Sequence, residues 1–182
     1  MLLACILMTF SMVLARPYQV QAKIRTVRTK VVTEKTKDKD AIKSAKPVWK
    51  GSSRVVFRQT GLVKFRAPKA GKYTFTFSRL VNSSALEQQG AAVILMNSKL
   101  HQYKLKTEYD EKRVPYLYLG TDRFMASVRS LYDRSYLHVK GGLGTFAFMH
   151  KTTLKLKKNQ LIYIVFAGLN RKASYTMRLK IK

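Results

Sequence analysis

The residues that most often carry chemistry are sparse here and scattered. Three histidines, His101, His138 and His150, stand far apart, with no His-x-x-x-His pair and no cysteine partner nearby. A zinc site needs three or four convergent ligands, so no metal is expected. Glu108, Asp110 and Glu111 form the only tight acidic group. Two carboxylates can drive glycoside hydrolysis, but Lys112 and Arg113 follow directly and suit local charge compensation. The run Gly141-Gly142-Leu143-Gly144 lacks the Lys-Ser/Thr and helix of a phosphate loop. No Gly-x-Ser-x-Gly elbow occurs, and the one cysteine, Cys5, lies in the apolar N-terminal run. The expectation is a protein that is not an enzyme and carries no cofactor.

What stands above background is positive charge. The chain has 36 Lys+Arg against 9 Asp+Glu, a formal +27 over 182 residues. Such a field selects anionic partners: nucleic acid, phosphate-rich wall polymers, sulfated glycans, anionic membranes. The charge is also patterned. Lys64/Arg66, Lys104/Lys106, Lys155/Lys157 and Arg178/Lys180/Lys182 sit two residues apart, with Phe65, Leu105, Leu156, Leu179 and Ile181 between them. On a strand this spacing sends the cations to one side and the apolar residues to the other. If these strands share a sheet, its exposed side is a grid of cations and a candidate polyanion-binding surface. Outward lysines also guard sheet edges against aggregation, which is the plainer use of the same pattern. Trp49, Tyr116 and Tyr118 are candidate stacking residues, with Trp49 equally suited to packing the incoming chain on the domain edge.

The elements that must position these residues are short strands. Residues 61–80, GLVKFRAPKAGKYTFTFSRL, are the best-specified stretch. Val63 and Phe65 alternate with Lys64 and Arg66, Pro68 and Gly71 mark a turn, and Tyr73, Phe75 and Phe77 resume the alternation. The expectation is a hairpin. Residues 155–166 repeat its rhythm, as though one hairpin solution were used twice. Residues 91–96, AAVILM, suit a strand buried on both sides, and residues 103–107 alternate like another strand. Glycines 141, 142 and 144 mark a second hairpin, and a short helix fits residues 124–131. About nine or ten strands from Val55 onward, with no long helical period, predict an all-β antiparallel sandwich of jelly-roll type.

The organisation expected is a signal peptide over 1–22, a basic flexible arm over 23–54 and a β-sandwich domain over 55–182. Residues 1–15 hold no charged side chain, and Val20-Gln21-Ala22 places cleavage after Ala22. Leu2-Leu3-Ala4-Cys5 is similar to a lipoprotein cleavage box, but almost no apolar run precedes it. The mature chain would be without cysteine, hence without disulfides. Export without cysteines suits a bacterial surface or wall protein.

The stretch Phe65-Arg66-Ala67-Pro68-Lys69-Ala70-Gly71-Lys72-Tyr73-Thr74-Phe75, with the closing Ala173-Ser174-Tyr175-Thr176-Met177-Arg178-Leu179, resembles the bacterial pre-peptidase C-terminal domain. More broadly it is similar to jelly-roll modules of exported clostridial proteins. The acidic segment usual in that domain is missing, and residues 91–96 take its place without acids, so calcium binding is not carried over. With the charge pattern, the expectation is a secreted, cell-surface- or wall-associated, non-catalytic binding module for an anionic wall polymer or glycan. Its alternative is an accessory module that takes a carbohydrate or a surface protein on a tyrosine-lined surface. Nucleic acid is not expected as the physiological partner of an exported chain.

Overall fold

The computed structural model describes residues 24–83, 90–110, 112–121, 125, 138–141 and 144–182. The expected signal peptide with Cys5 and its expected cleavage after Ala22, together with Glu111, Gly142 and most of the expected 124–131 helix, lie outside the described residues. In chain order the elements are β1 (Arg25–Arg28), β2 (Val31–Val32), α1 (Asp38–Ser44), β3 (Lys46–Val48), β4 (Gly51–Arg58), β5 (Thr60–Arg66) and β6 (Gly71–Asn82). They continue with β7 (Gly90–Met96), β8 (Leu117–Gly120), β9 (His138–Gly141), β10 (Gly144–Ala147), β11 (Met149–Leu156), β12 (Leu161–Gly168) and β13 (Ser174–Ile181).

The strands form two sheets packed as a sandwich. One runs β1-β4-β13-β6-β11; the other runs β5-β12-β7-β8-β10-β9, with β2 and β3 both on the outer side of β5. The expected all-β sandwich is what forms. Most pairings are antiparallel, but β1/β4, β3/β5 and β8/β10 are parallel, so both sheets are mixed.

Alternation builds the core. Val55 and Phe57 of β4, Tyr73, Phe75 and Phe77 of β6, and Tyr175, Met177 and Leu179 of β13 are all buried. They meet Val63 and Phe65 of β5 and Ile162, Ile164 and Phe166 of β12 from the opposite sheet. Phe57 lies 5.3 Å from Phe166, and Phe65 lies 5.8 Å from Phe75 edge to face. Each such side chain is worth about 1.5–3 kcal/mol of burial.

The expected 61–80 hairpin is corrected. β5 and β6 flank the Pro68 turn but belong to different sheets and do not pair with each other. The chain makes an arch, which turns the two aromatic faces toward one another; a hairpin would leave them side by side, waiting for a third layer. Residues 155–166 do the same, since β11 and β12 also lie in opposite sheets. The two arches bond to each other: the Ala67 N–H donates to the Gln160 carbonyl (2.9 Å) and the Asn159 N–H to the Ala67 carbonyl (2.8 Å). Their turn amides are satisfied across the pair, as buried backbone requires. The second hairpin does form, with β9 paired antiparallel to β10.

The segment expected as a flexible arm over 23–54 carries β1, β2, α1, β3 and the start of β4. Its few apolar residues are spaced for burial: Val27 and Val48 join the main core, and Ala45 with Ile42 packs on Leu62 and Tyr163. In α1 the acids Asp38 and Asp40 sit in the first turn and Lys43 in the last, complementing the helix dipole. The expected 103–107 segment keeps its alternation, with Leu105 and Thr107 buried, but is held by isolated links, the bridge from Leu105 to Val114 and the Tyr103 N–H donating to the Leu95 carbonyl (2.9 Å).

Candidate anion-binding face

The five strands β1, β4, β13, β6 and β11 contain no aspartate or glutamate, and each carries two lysines or arginines. Because alternate residues fill the core, Arg54, Lys180, Lys72, Lys151 and Lys155 are exposed on the outer side and Arg178 is half-buried. The register then fixes their neighbours. Arg54 stands directly opposite Arg178, and Lys72 directly opposite Lys155. Thr76 lies between Lys180 and Lys151, and the Thr74 and Thr153 hydroxyls bond at 2.9 Å. The face is a lattice of hydroxyls and cations.

An irregularity adds Arg79. Between the pairs Arg178–Ser78 and Thr176–Val81, one residue of β13, Met177, faces two of β6, Arg79 and Leu80. This is a β-bulge. Leu80 and Met177 fill the core, while Arg79 is exposed and takes a left-handed φ of 54°. That conformation costs a non-glycine residue about 1 kcal/mol. Arg79 and Arg178 line two adjoining cavities: one of about 330 Å³ with Ile24, Arg54 and Val81, and one of about 1230 Å³ with Trp49 and Lys180.

The residues expected to bind a polyanion are divided by the structure. Lys155, Arg178 and Lys180 lie on this face, with Lys182 one residue past β13, its backbone bonded to Thr74. Lys64 and Arg66 lie on β5 in the other sheet, where Arg66 donates to the Asn159 carbonyl at 3.2 Å. Lys104 and Lys106 lie between β7 and β8, and Lys106 donates to the Asp110 carbonyl at 3.3 Å. Lys157 follows β11 at the second arch, its N–H bonded to Gln160 Oε1 at 2.8 Å. A single grid holding all the pairs is therefore corrected to a face on one sheet, because the Lys64/Arg66 pair goes to the opposite layer and the Lys104/Lys106 pair to the segment between β7 and β8.

The aromatic candidates also separate. Trp49 is 51% exposed, with the Arg25 guanidinium 4.9 Å from its ring centre. Tyr118 is on β8 of the other sheet, 6.2 Å from the Tyr116 ring and 5.2 Å from Phe146. Arg54, Arg79, Lys72 and Lys151 were missed as candidates. Lys72, in step with Thr74 and Thr76, had a readable signal; the placement of Arg54 and Arg79 depends on strand order and the bulge.

Two members of the acidic group, Glu108 and Asp110, are tied into the fold. Asp110 accepts hydrogen bonds from the Thr107 hydroxyl (2.8 Å) and the Thr145 hydroxyl (2.9 Å), and Glu108 Oε2 accepts the Lys151 N–H (3.3 Å). These bonds fasten the segment before β8 to β10 and β11. His150 is fully buried, with Nε2 3.0 Å from the Tyr118 carbonyl, so that nitrogen donates, and its ring meets Tyr109 edge-on. Burial holds its pKa below the ordinary 6.5, against the pull of the Tyr118 bond and of Glu108 and Asp110. Among the described residues no three His, Cys, Asp or Glu side chains converge as a metal site, and no helix is long and apolar enough to cross a membrane.

No protein-family model matches the chain, and no curated protein sequence does. Solved β-domains are similar to it in fold. The pre-peptidase C-terminal domain of a collagenase from Bacillus anthracis matches at a TM-score of 0.36 and 11% identity, over 76% of this chain and 94% of that one. CorA, a surface-associated copper-binding protein of Methylomicrobium album BG8, matches at 0.37 and 10% identity, over 76% of this chain and 98% of that one. The likeness to the pre-peptidase C-terminal domain is weak.

Proposed function

We propose that this protein is a non-catalytic binding module, exported to the cell surface, that takes an anionic polymer on the outer face of its five-stranded sheet. The observation that carries the reading is the register itself. Arg54 opposes Arg178 and Lys72 opposes Lys155 on a sheet whose strands hold no carboxylate. Like charges directly opposite are unfavourable, and a bound polyanion relieves them. The candidate contacts are Lys155, Arg178, Lys180 and Lys182, joined by Arg54, Lys72, Arg79 and Lys151; Lys64, Arg66, Lys104, Lys106 and Lys157 supply general charge from elsewhere.

The test is binding of the purified chain to isolated bacterial cell walls across a salt titration, beside the double variants Arg54→Ser/Arg178→Ser and Lys72→Thr/Lys155→Thr. Each cation near an anionic surface is worth about 1 kcal/mol, so each double variant loses roughly 30-fold in affinity at low salt. Wild-type binding falls as the screening length shrinks from about 10 Å at 0.1 M to about 3 Å at 1 M. Binding that survives both salt and the variants discards this reading. It favours instead a carbohydrate or surface-protein site at Tyr116, 38% exposed beside Tyr118 and Phe146 on the other sheet.

A further inference from the structure

The basic face is not uniform, and its uneven part is the bulge. There, exposed aliphatic side chains border three arginines. Ile24 (44% exposed) and Val81 (52% exposed) line the same cavity of about 330 Å³ as Arg54, Arg79 and Arg178. The other end of the sheet presents Lys72, Lys155 and the threonines Thr74 and Thr153, with no apolar border.

Two devices converge on this spot. The bulge sends Leu80 inward and Arg79 outward, beside the facing pair Arg54 and Arg178. Arg79 keeps a backbone conformation that glycine or asparagine adopts more readily. Strain of this kind persists where the surroundings enforce it and gathers at ligand sites. Three guanidiniums suit the oxygens of a phosphate or carboxylate through paired N–H donors. Ile24 and Val81 have no use for a purely hydrophilic polymer, but they suit an alkyl chain leaving the anionic group.

We infer that Arg54, Arg79 and Arg178 form a discrete subsite for the anionic end of an amphiphile, whose apolar part lies against Ile24 and Val81. The inference rests on reading this face as anion-binding and adds the class of ligand: a phosphate ester or carboxylate carrying a hydrocarbon chain. The same headgroup chemistry is offered by free phosphate, so the experiment separates the two.

The purified full chain is heated with inorganic phosphate, with dihexanoyl phosphatidic acid or with dihexanoyl phosphatidylcholine, and the unfolding midpoint is followed. Wild type is expected to gain about 5 °C with saturating phosphatidic acid, less with phosphate and nothing with phosphatidylcholine. Arg79→Gly, which relieves the backbone, and the exposed double variant Ile24→Ser/Val81→Ser both lose most of the gain from phosphatidic acid. The double variant keeps the response to phosphate and keeps binding to cell walls. Equal gains from phosphate and phosphatidic acid overturn the inference, as do gains unchanged in either variant. If the amphiphile fails while wall binding persists with its salt dependence, the subsite is wrong and the polymer face stands; if wall binding also fails, the face itself is wrong.

Discussion

Arg178 faces Arg54 on one side and Ser78 on the other, so its charge is repelled where a threonine would be accommodated. Arg178→Thr is expected to stabilise the fold by about 0.5 kcal/mol, seen as a higher urea midpoint, while weakening wall binding. A change of the same sign in both measurements would show that Arg178 is held for packing. His150 acts in the opposite sense, because it is buried beneath Tyr109, Glu108 and Asp110 with its pKa depressed. Above pH 6.5 both the folded and unfolded chains hold it neutral and it adds no pH dependence. As pH falls below that value the unfolded chain takes up the proton more readily, so stability drops. His150→Gln keeps a donor for the Tyr118 carbonyl and is expected to flatten the urea midpoint between pH 7 and pH 5. An identical drop in the two proteins would assign the loss to another group.

At the level of elements, the arch explains both what the sequence disclosed and what it concealed. The alternation of Phe65, Tyr73, Phe75 and Phe77 marked strands and their buried faces, and those faces are where the aromatic contacts form. The same pattern serves a hairpin and an arch, because each strand needs only an apolar side. Which sheet receives each strand is decided by distant partners, β12 for β5 and β13 with β11 for β6. The arm was misjudged for a related reason: average composition hides three well-spaced apolar residues, Val27, Ala45 and Val48, that lock short strands and a helix onto sheet edges. Close packing between elements gives its own prediction at Gly168, where a Cβ would enter the ring of Tyr175, itself stacked 5.2 Å from Phe57. Gly168→Ala is expected to cost about 1–3 kcal/mol of overpacking, read from the urea midpoint; an unchanged midpoint would mean that β12 and β13 slide apart freely at that end.

For the whole molecule, the excess of cations was plain from the chain, and so was the outward direction of Lys155, Arg178 and Lys180. Their grouping was not, since it requires knowing that β13 lies between β4 and β6. That central position reaches beyond binding. The five-stranded sheet is assembled around a strand made long after its two neighbours, so β4 and β6 have no bridge between them until residues 174–181 arrive. Such non-local pairing is slow to begin. Until β13 has left the ribosome, the cations of β4 and β6 belong to separate pieces of chain, and a newly made molecule has no continuous basic face to turn toward the nucleic acid around it.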